Sequence, residues 1–185
     1  MAEVTINNSP IHSDAILTAV FGETGSSWAQ YHTGTDFAAY GNTPTNPNLY
    51  SVCLGTVYSK TYDETLGNQI IIQDSQTGNY WRYCHMQNAS PLNVGDTVNT
   101  NTVVGIMGAT GNVTGIHLHL EYATSPIWNY DTFLNPSEAL EIPNERGTIV
   151  HFDGSMPPIP TFTRKNKKFP WAVLTKIIRN KRTFF

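Results

Sequence analysis

Residues 105–121, GIMGATGNVTGIHLHLE, carry the most informative pattern in the sequence. The first half of this stretch is rich in glycine and begins in a strand-like segment at residues 103–107. In its second half polar and apolar residues alternate, which is typical of a β-strand with one face against a core. The alternation places His117, His119 and Glu121 on the same face of that strand. The stretch therefore predicts a strand that presents two imidazoles, preceded by a loop whose backbone can pass close to another group.

Short apolar or strand-like segments recur along most of the chain, the first of them, 17–21, being an apolar run closed by Gly22. They occupy residues 17–21, 36–40, 52–59, 68–74, 80–86, 103–107 and 117–123. Residues 76–79 form a turn that joins two of these segments into a predicted hairpin, and the glycine within residues 52–59 predicts a bulge. The 14 glycines and 11 prolines argue against a helix bundle. The pattern predicts a mainly β fold, an antiparallel sheet that is open or forms a partial barrel.

The charge of the chain is divided between an acidic body and a basic tail. Eight of the 11 lysines and arginines, and no acidic residue, lie in residues 161–185, whereas residues 1–160 hold all 14 aspartates and glutamates. We predict four parts: a lead-in at residues 1–16, a domain at 17–141, a linker at 142–163 and a basic, apolar C-terminal extension at 164–185. Within the extension, residues 170–180 are predicted to form a short amphipathic helix.

Two further features of the sequence exclude classes of protein. The first residues lack the basic start and apolar run of a signal peptide, and no stretch reaches the ~18 apolar residues that span a membrane. Cys53 and Cys84 lie in strand-like apolar contexts, so we expect buried free thiols, although one disulfide remains possible. Neither belongs to a CxxC pair, which argues against a thiolate zinc site.

Histidines stand at the ends of several predicted strands. His32 and Asp36 are separated by Thr-Gly-Thr, a poor helix former that favours a tight loop leading into a strand. His85 ends the strand at residues 80–86. Each feature alone has a plain structural interpretation: a surface pair, a core-edge histidine, or a half-exposed strand for His117 and His119. Together they supply enough imidazole and carboxylate groups for a catalytic zinc site, which needs three protein ligands and an open position.

The order of these motifs resembles that of a known family. The motifs are HTGTD (32–36), LGTV (54–57), YCH (83–85), VGDTV (94–98), the stretch at 105–121 and Asn135-Pro136. Over residues 17–141 their order and spacing resemble the LytM/lysostaphin type of zinc endopeptidase, peptidase family M23, which cuts peptides in bacterial cell walls.

The resemblance implies a site and an activity. It implies a LytM/lysostaphin-like β domain, a partly open barrel or groove, that holds one zinc ion on His32, Asp36 and His119. His117 and His85 would be the catalytic pair, with His117 favoured as the base and His85 for stabilising the oxyanion, although these roles could be exchanged. Glu121 would either orient a ligand or be only a polar strand residue. The implied reaction is hydrolysis of an amide in the stem peptide or cross-bridge of bacterial peptidoglycan.

Some residues depart from the family pattern. Cys84 stands where a small residue such as alanine is usual. Some members place a tyrosine several residues before the first ligand, whereas this chain has Ser26, Ser27 and Trp28 there and Tyr31 next to His32. The five key positions are nevertheless all present. Family relatives that only regulate other hydrolases have lost zinc ligands, so this chain does not resemble them.

Alternatives and outlying segments complete the expectations. A non-catalytic structural or regulatory module, such as a phage tail component, could use the same fold, and a cupin would also carry an HxH motif but early in the chain rather than last. His12 and His151 are expected at the surface. The extension at 164–185 could bind an anionic wall polymer, a membrane surface or a virion protein, or it could pack against the acidic body; it carries no nucleic-acid motif. With no signal peptide, we expect a phage lysin or virion-associated protein that acts at the cell wall.

Overall fold

The structure is a computed structural model, and it describes residues 2–25 and 28–154. The expectations for the extension at 164–185, the helix at 170–180 and the second half of the linker lie outside the described residues. None of the described helices is long and apolar enough to cross a membrane.

Strands account for nearly all of the regular structure. They are β1 (Glu3–Ile6), β2 (Ala15–Ala19), β3 (Thr35–Ala39), β4 (Asn48–Tyr50), β5 (Gly55–Asp63), β6 (Gly67–Asp74), β7 (Tyr80–Met86), β8 (Thr97–Val98), β9 (Val103–Ile106), β10 (Leu118–Ala123), β11 (Phe133–Leu134) and β12 (Ile149–Phe152), with a single turn of helix, α1 (Pro136–Ala139), after β11. The side chain of Asn135 caps α1 by accepting from the backbone N–H groups of Ser137 and Glu138. The prediction of a mainly β fold is confirmed.

The strands form one large sheet and one small one. In the large sheet the order is β1-β12-β2-β3-β10-β7-β6-β5-β8, with β11 beside β10, and in the small sheet β4 pairs with β9. All of these pairs are antiparallel except β1 with β12. Within the described residues the large sheet ends at β1 and β8 and does not close into a barrel, as expected for an open antiparallel sheet.

Two local predictions are confirmed in the sheet. β6 and β7 pair antiparallel across the turn at residues 76–79, with Ile72 opposite Trp81. In β5 the register shifts between Val57 and Ser59, as in the bulge that Gly55 suggested.

Strand β10 lies at the centre of the large sheet, between β3 and β7. Leu118 and Leu120 are fully buried in the core on one face, where Phe37 and Tyr83 are also fully buried. The other face carries His119, which lies opposite Asp36 on β3 and opposite Cys84 on β7. The two-residue period of the HLHLE sequence therefore sets the core on one side of β10 and polar side chains on the other.

The two ends of the described chain differ from the sequence prediction. The lead-in at 1–16 contains β1, and the linker at 142–163 contains β12, which pairs parallel with β1 and antiparallel with β2. Ile149 and Val150 are buried in this arrangement. Each of these strands is only four residues long and includes polar residues, and such a short segment becomes a strand only when a distant partner covers it.

Two histidines, His12 and His151, lie outside the site. His12 is half-buried, and its ring stacks between Tyr50 and Phe152 with centroid distances of 3.6 and 3.9 Å. His151 is half-buried too, and its Nδ1 lies 2.8 Å from Oδ1 of Asp14. The surface prediction was therefore wrong for His12, because rings from β4 and β12 converge on it.

The cysteines are free, as the sequence favoured. Cys84 is fully buried and Cys53 is half-buried. Burial raises the pKa of the Cys53 thiol to about 12 and raises that of Cys84 well above its ordinary value. Both are therefore neutral thiols that pack rather than react.

Candidate metal centre and active site

Three neighbouring strands bring the predicted site residues together. Asp36 on β3 lies opposite His119 on β10, because the two strands pair in that register. His32 stands four residues before Asp36, in the loop that leads into β3. His85 lies near the end of β7, directly after the second cross-strand partner of His119, and His117 immediately precedes β10. All five residues named from the sequence thus meet beside three interior strands of the large sheet, β3, β10 and β7.

His32, Asp36 and His119 form a triangle of donor atoms. Oδ1 of Asp36 lies 3.2 Å from Nε2 of His32 and 2.8 Å from Nδ1 of His119, and the two nitrogens are 3.1 Å apart. Ligands of a tetrahedral zinc ion lie about 3.3 Å from one another when the zinc bonds are about 2.0 Å long. The triangle therefore fits zinc to within a few tenths of an ångström, and two nitrogens with one oxygen are a zinc donor set.

The outer nitrogen of each histidine of the triangle lies against an acceptor. Nδ1 of His32 lies 3.0 Å from the carbonyl oxygen of Val20, and Nε2 of His119 lies 3.1 Å from Oε1 of Glu121. A neutral imidazole that donates from its outer nitrogen must present a lone pair at the inner one, as a metal ligand requires. Glu121 is 1% exposed, so it is a buried partner of His119 rather than a solvated strand residue. Glu121 was expected either to orient a ligand or to be only a polar strand residue. Its burial and its contact with His119 favour the first interpretation.

The electrostatics of the triangle also suit a cation. Burial opposes the charge on Asp36 and His119, but their contact outweighs it. The pKa of the Asp36 carboxyl is well below its usual value, and the carboxylates of Asp36 and Glu121 raise the pKa of His119 to about 10. Without metal, His119 is thus protonated between the carboxylates of Asp36 and Glu121, and binding of a divalent ion displaces a proton.

His85 and His117 lie beside the triangle and are held in the same way. Nδ1 of His85 is 2.9 Å from the carbonyl oxygen of Thr110, and Nδ1 of His117 is 3.0 Å from that of Gly115. A carbonyl can only accept, so Nδ1 of each ring donates, and each Nε2 is left for the site. Nε2 of His117 lies 3.7 Å from Oδ2 of Asp36, and the centroids of the two rings are 4.9 Å apart.

His85 has an unusual environment. Burial lowers its pKa to about 4, despite its hydrogen bond to Thr110. Its backbone has φ of 59°, in the left-handed region that non-glycine residues rarely occupy. Strain of this kind is typical of functional sites, where the surrounding structure holds a side chain in one direction.

Gly34 of the HTGTD motif is required by close packing. A Cβ there would lie 2.5 Å from the carbonyl oxygen of Leu120 and 2.8 Å from Cε1 of His119. The loop between His32 and Asp36 therefore runs directly against β10, and this contact brings the ligands of β3 and β10 within reach of each other.

Aromatic residues of the loop that joins β10 to β11 form a wall beside the site. A cavity of about 480 Å³ adjoins Thr33 and Glu121 and is also lined by Glu64, Trp128 and Tyr130. Its volume suits part of a peptide chain.

The hydroxyl of Tyr31 is used in a hydrogen bond between two loops. It donates to the carbonyl oxygen of Tyr130 at 2.9 Å and so ties the two loops together. The ring centroid of Trp28 is 5.0 Å from that of His32. Of the two aromatic residues at the position where the sequence departs from the family pattern, Trp28 is thus the one beside a ligand. Ser26 and Ser27 lie outside the described residues.

Sequence reasoning missed three residues behind the ligands. Oγ1 of Thr33 donates to Oε1 of Glu121 at 2.6 Å. Arg82 donates to Oε2 of Glu121 from both Nε and Nη2, and its Cζ lies 4.0 Å from the ring centroid of Trp128. The opposite charges of Arg82 and Glu121 were a possible signal, but only the register of β7 against β10 shows that they face each other.

Comparison with known proteins agrees with the geometry. The peptidoglycan DD-endopeptidase ShyC of Vibrio cholerae serotype O1 is 33% identical over 96 residues, which are 52% of this chain and 21% of ShyC. This chain thus spans about a fifth of that relative. A zinc-containing peptidase from Vibrio cholerae superposes with a TM-score of 0.56 at 25% identity, over 72% of this chain and 39% of the other. The catalytic domain of lysostaphin from Staphylococcus simulans superposes with a TM-score of 0.58 over 69% of this chain and 92% of that domain, and at 23% identity it shows a shared fold.

The family model gives the assignment. The model of peptidase family M23 matches residues 30–132, more than half of the chain, and that range contains His32, Asp36, His85, His117 and His119. The donor triangle and the zinc-containing neighbour agree on the cofactor. This chain therefore belongs to peptidase family M23, and its cofactor is zinc.

Proposed function

We propose that this domain is a zinc metalloendopeptidase that hydrolyses peptide bonds in bacterial peptidoglycan. The observation that carries the proposal is the donor triangle of His32, Asp36 and His119, with the Nε2 atoms of His85 and His117 free beside it. Zinc held there would supply Lewis acidity that activates a water molecule and polarises the scissile carbonyl.

The two remaining histidines divide the proton transfers. A neutral ring whose Nδ1–H is bound to a carbonyl offers only a lone pair at Nε2. His85 is in this state, because burial keeps its pKa at about 4. It is therefore suited to accept the proton of the attacking water. We assign His117, whose Nε2 lies 3.7 Å from Oδ2 of Asp36, to donate to the oxyanion or the leaving amine once its ring has taken up a proton. This exchanges the roles favoured from the sequence.

The substrate proposal draws on the relative and on the groove. ShyC is named a peptidoglycan DD-endopeptidase. The cavity beside Glu121, with its aromatic wall, adjoins Thr33 of the loop between His32 and Asp36, and we propose that part of the bound peptide occupies it. The reacting bond would be an amide of the stem peptide or the cross-bridge.

Delivery to the wall is also part of the proposal. We place the protein at the bacterial cell wall, as a phage lysin or a virion-associated component. The support is the charge division of the sequence: eight basic residues in 161–185 suit an anionic wall polymer, a membrane surface or a virion protein.

Digestion of purified cell walls tests the activity. The wild-type protein is expected to release peptide fragments whose new amino and carboxyl ends, read by mass spectrometry, identify the bond. A chelator should abolish the release and added zinc should restore it. Intact walls in the presence of zinc would instead favour a non-catalytic module on the same fold.

A variant pair tests the residues. His117→Ala is expected to lose activity and keep its zinc, whereas Asp36→Ala should lose zinc affinity. Wild-type rates in His117→Ala would refute the mechanism, and unchanged zinc affinity in Asp36→Ala would refute the ligand assignment.

A further inference from the structure

We propose that Arg82, held in place by Trp128, is a positioning residue of the metal centre that acts through Glu121 on His119. The inference rests on the proposed function only in taking His119 as a zinc ligand. It concerns residues that do not touch the metal position or the substrate's reacting atoms.

The two oxygens of the Glu121 carboxylate have separate partners. Oε1 accepts from Nε2 of His119 at 3.1 Å and from the hydroxyl of Thr33 at 2.6 Å. Oε2 accepts hydrogen bonds from two N–H groups of Arg82. A carboxylate bonded in this way at both oxygens cannot rotate, so the direction in which Oε1 meets His119 is fixed by Arg82 and Thr33. The ring of His119 is in turn fixed by Oε1, and with it the direction of the lone pair on Nδ1.

Arg82 is itself held by stacking. Its guanidinium carbon lies 4.0 Å from the centroid of the Trp128 ring, a cation–π geometry, and its side chain is only 11% exposed. A planar guanidinium with one face on an indole presents its N–H fork in one plane, which a lysine could not reproduce. Trp128 belongs to the loop between β10 and β11, so the positioning of Arg82 depends on that loop.

The same loop also reaches the other side of the centre. The carbonyl oxygen of Tyr130, two residues after Trp128, accepts from Tyr31, which directly precedes the ligand His32. Trp128 and Tyr130, which line the cavity beside Glu121, thus connect Arg82 with the residue that precedes His32. A displacement of this loop would be felt at His119 through Arg82 and Glu121.

Zinc affinity measured by chelator competition on the full-length chain tests the proposal. Loss of an outer partner of a ligand histidine typically weakens metal affinity by about 10–100-fold, and this range is expected for Arg82→Gln. Trp128→Ala should weaken affinity in the same direction by less, because Arg82 remains, and Trp128→Phe should restore it. Ile127→Ala is the matched loop control, because Ile127 precedes Trp128 and is 73% exposed. Arg146→Gln is the charge control, because it removes the ion pair of an exposed arginine with Glu23.

A second readout separates positioning from mere stability. The absorption spectrum of the cobalt(II)-substituted protein reports ligand geometry, so it should shift in Arg82→Gln and Trp128→Ala and stay unchanged in both controls. Melting of the metal-free variants is measured beside it. If Arg82→Gln does not fold, Trp128→Ala decides, since its side chain is half-buried in a surface loop.

The outcomes are distinct from those of the proposed function. Wild-type zinc affinity and an unchanged cobalt spectrum in the folded variants would overturn the proposal, as would an equal effect of Ile127→Ala. A wild-type protein that binds no zinc fails the proposed function itself. One that binds zinc but cuts no wall fails the activity alone, and leaves the role of Arg82 to be decided by the affinities.

Discussion

Gly34→Ala adds a single methyl group at the point where the loop of the HTGTD motif runs against β10. The new Cβ would lie 2.5 Å from the carbonyl oxygen of Leu120, where carbon and oxygen ordinarily keep about 3.3 Å apart. One of the two segments must therefore move by about 0.8 Å. Neither is free to do so cheaply, because the carbonyl belongs to the central strand of the sheet.

The size of the effect follows from where that movement occurs. Overpacking of this kind costs about 1–3 kcal/mol, which corresponds to a fall of about 2–12 °C in the melting temperature of a domain of this size. His32 and Asp36 lie on either side of Gly34, and a misplacement of about 1 Å at a reacting centre can lower the rate about 100-fold. We therefore expect a modest loss of stability and a large loss of both zinc affinity and wall hydrolysis.

The assay pairs melting of the metal-free protein with zinc titration and release of wall peptides. Gly115→Ala is the matched control for stability and zinc affinity: a Cβ there meets nothing within 4 Å, and the carbonyl of Gly115 contacts His117 rather than a residue of the donor triangle. Gly34→Ala with wild-type zinc affinity and rate would refute the reasoning that close packing of this loop builds the centre, and so would an equal loss of stability and zinc affinity in Gly115→Ala.

Three further predictions concern the histidines and the core. Both His85→Ala and His117→Ala should keep stoichiometric zinc and lose about 100-fold or more in the rate of wall hydrolysis; loss of zinc in either, measured by metal analysis, would contradict their separation from the ligands. Since the pKa of metal-free His119 is about 10, its proton competes with zinc below that pH. Zinc affinity should therefore rise by up to about tenfold per pH unit from neutral to mildly alkaline solution, with release of a proton detectable by calorimetry in different buffers, and a flat profile would argue against this. Tyr83→Phe leaves the buried N–H of Val52, which donates to the Tyr83 oxygen at 2.8 Å, without its partner, and should lower the free energy of unfolding by about 1–3 kcal/mol in denaturant titration, with zinc affinity unchanged.

Local sequence patterns predicted those features of the fold and the site that depend on one strand or one turn. The alternation in HLHLE set the two faces of β10, and the turn at 76–79 set the hairpin of β6 and β7. These features depend only on residues close in sequence, so their physical cause is present in the string itself. The assignment of His32 and Asp36 as metal ligands could not be made from HTGTD alone, because it depends on the histidines of the distant strand β10.

The missed features depend on contacts between distant segments. Arg82 meets Glu121 only because β7 and β10 pair in one register, and Trp128 covers Arg82 only because a long loop folds back. His12 is expected at the surface until Tyr50 and Phe152 stack on it. β1 and β12 are too short to stand out, since their burial comes from each other and from β2. No period or composition carries this information.

The parallel pairing of β1 with β12 has a consequence for synthesis. Glu3 on β1 pairs with Ile149 on β12, so β1 can find its partner only after most of the described chain has been synthesised. Until then the edge of β2 that β12 will cover presents unpaired N–H and C=O groups, to which another chain could add a strand. A nascent chain stalled before residue 149 would thus carry the complete metal centre and an open edge together, and would be prone to aggregate while already able to bind zinc.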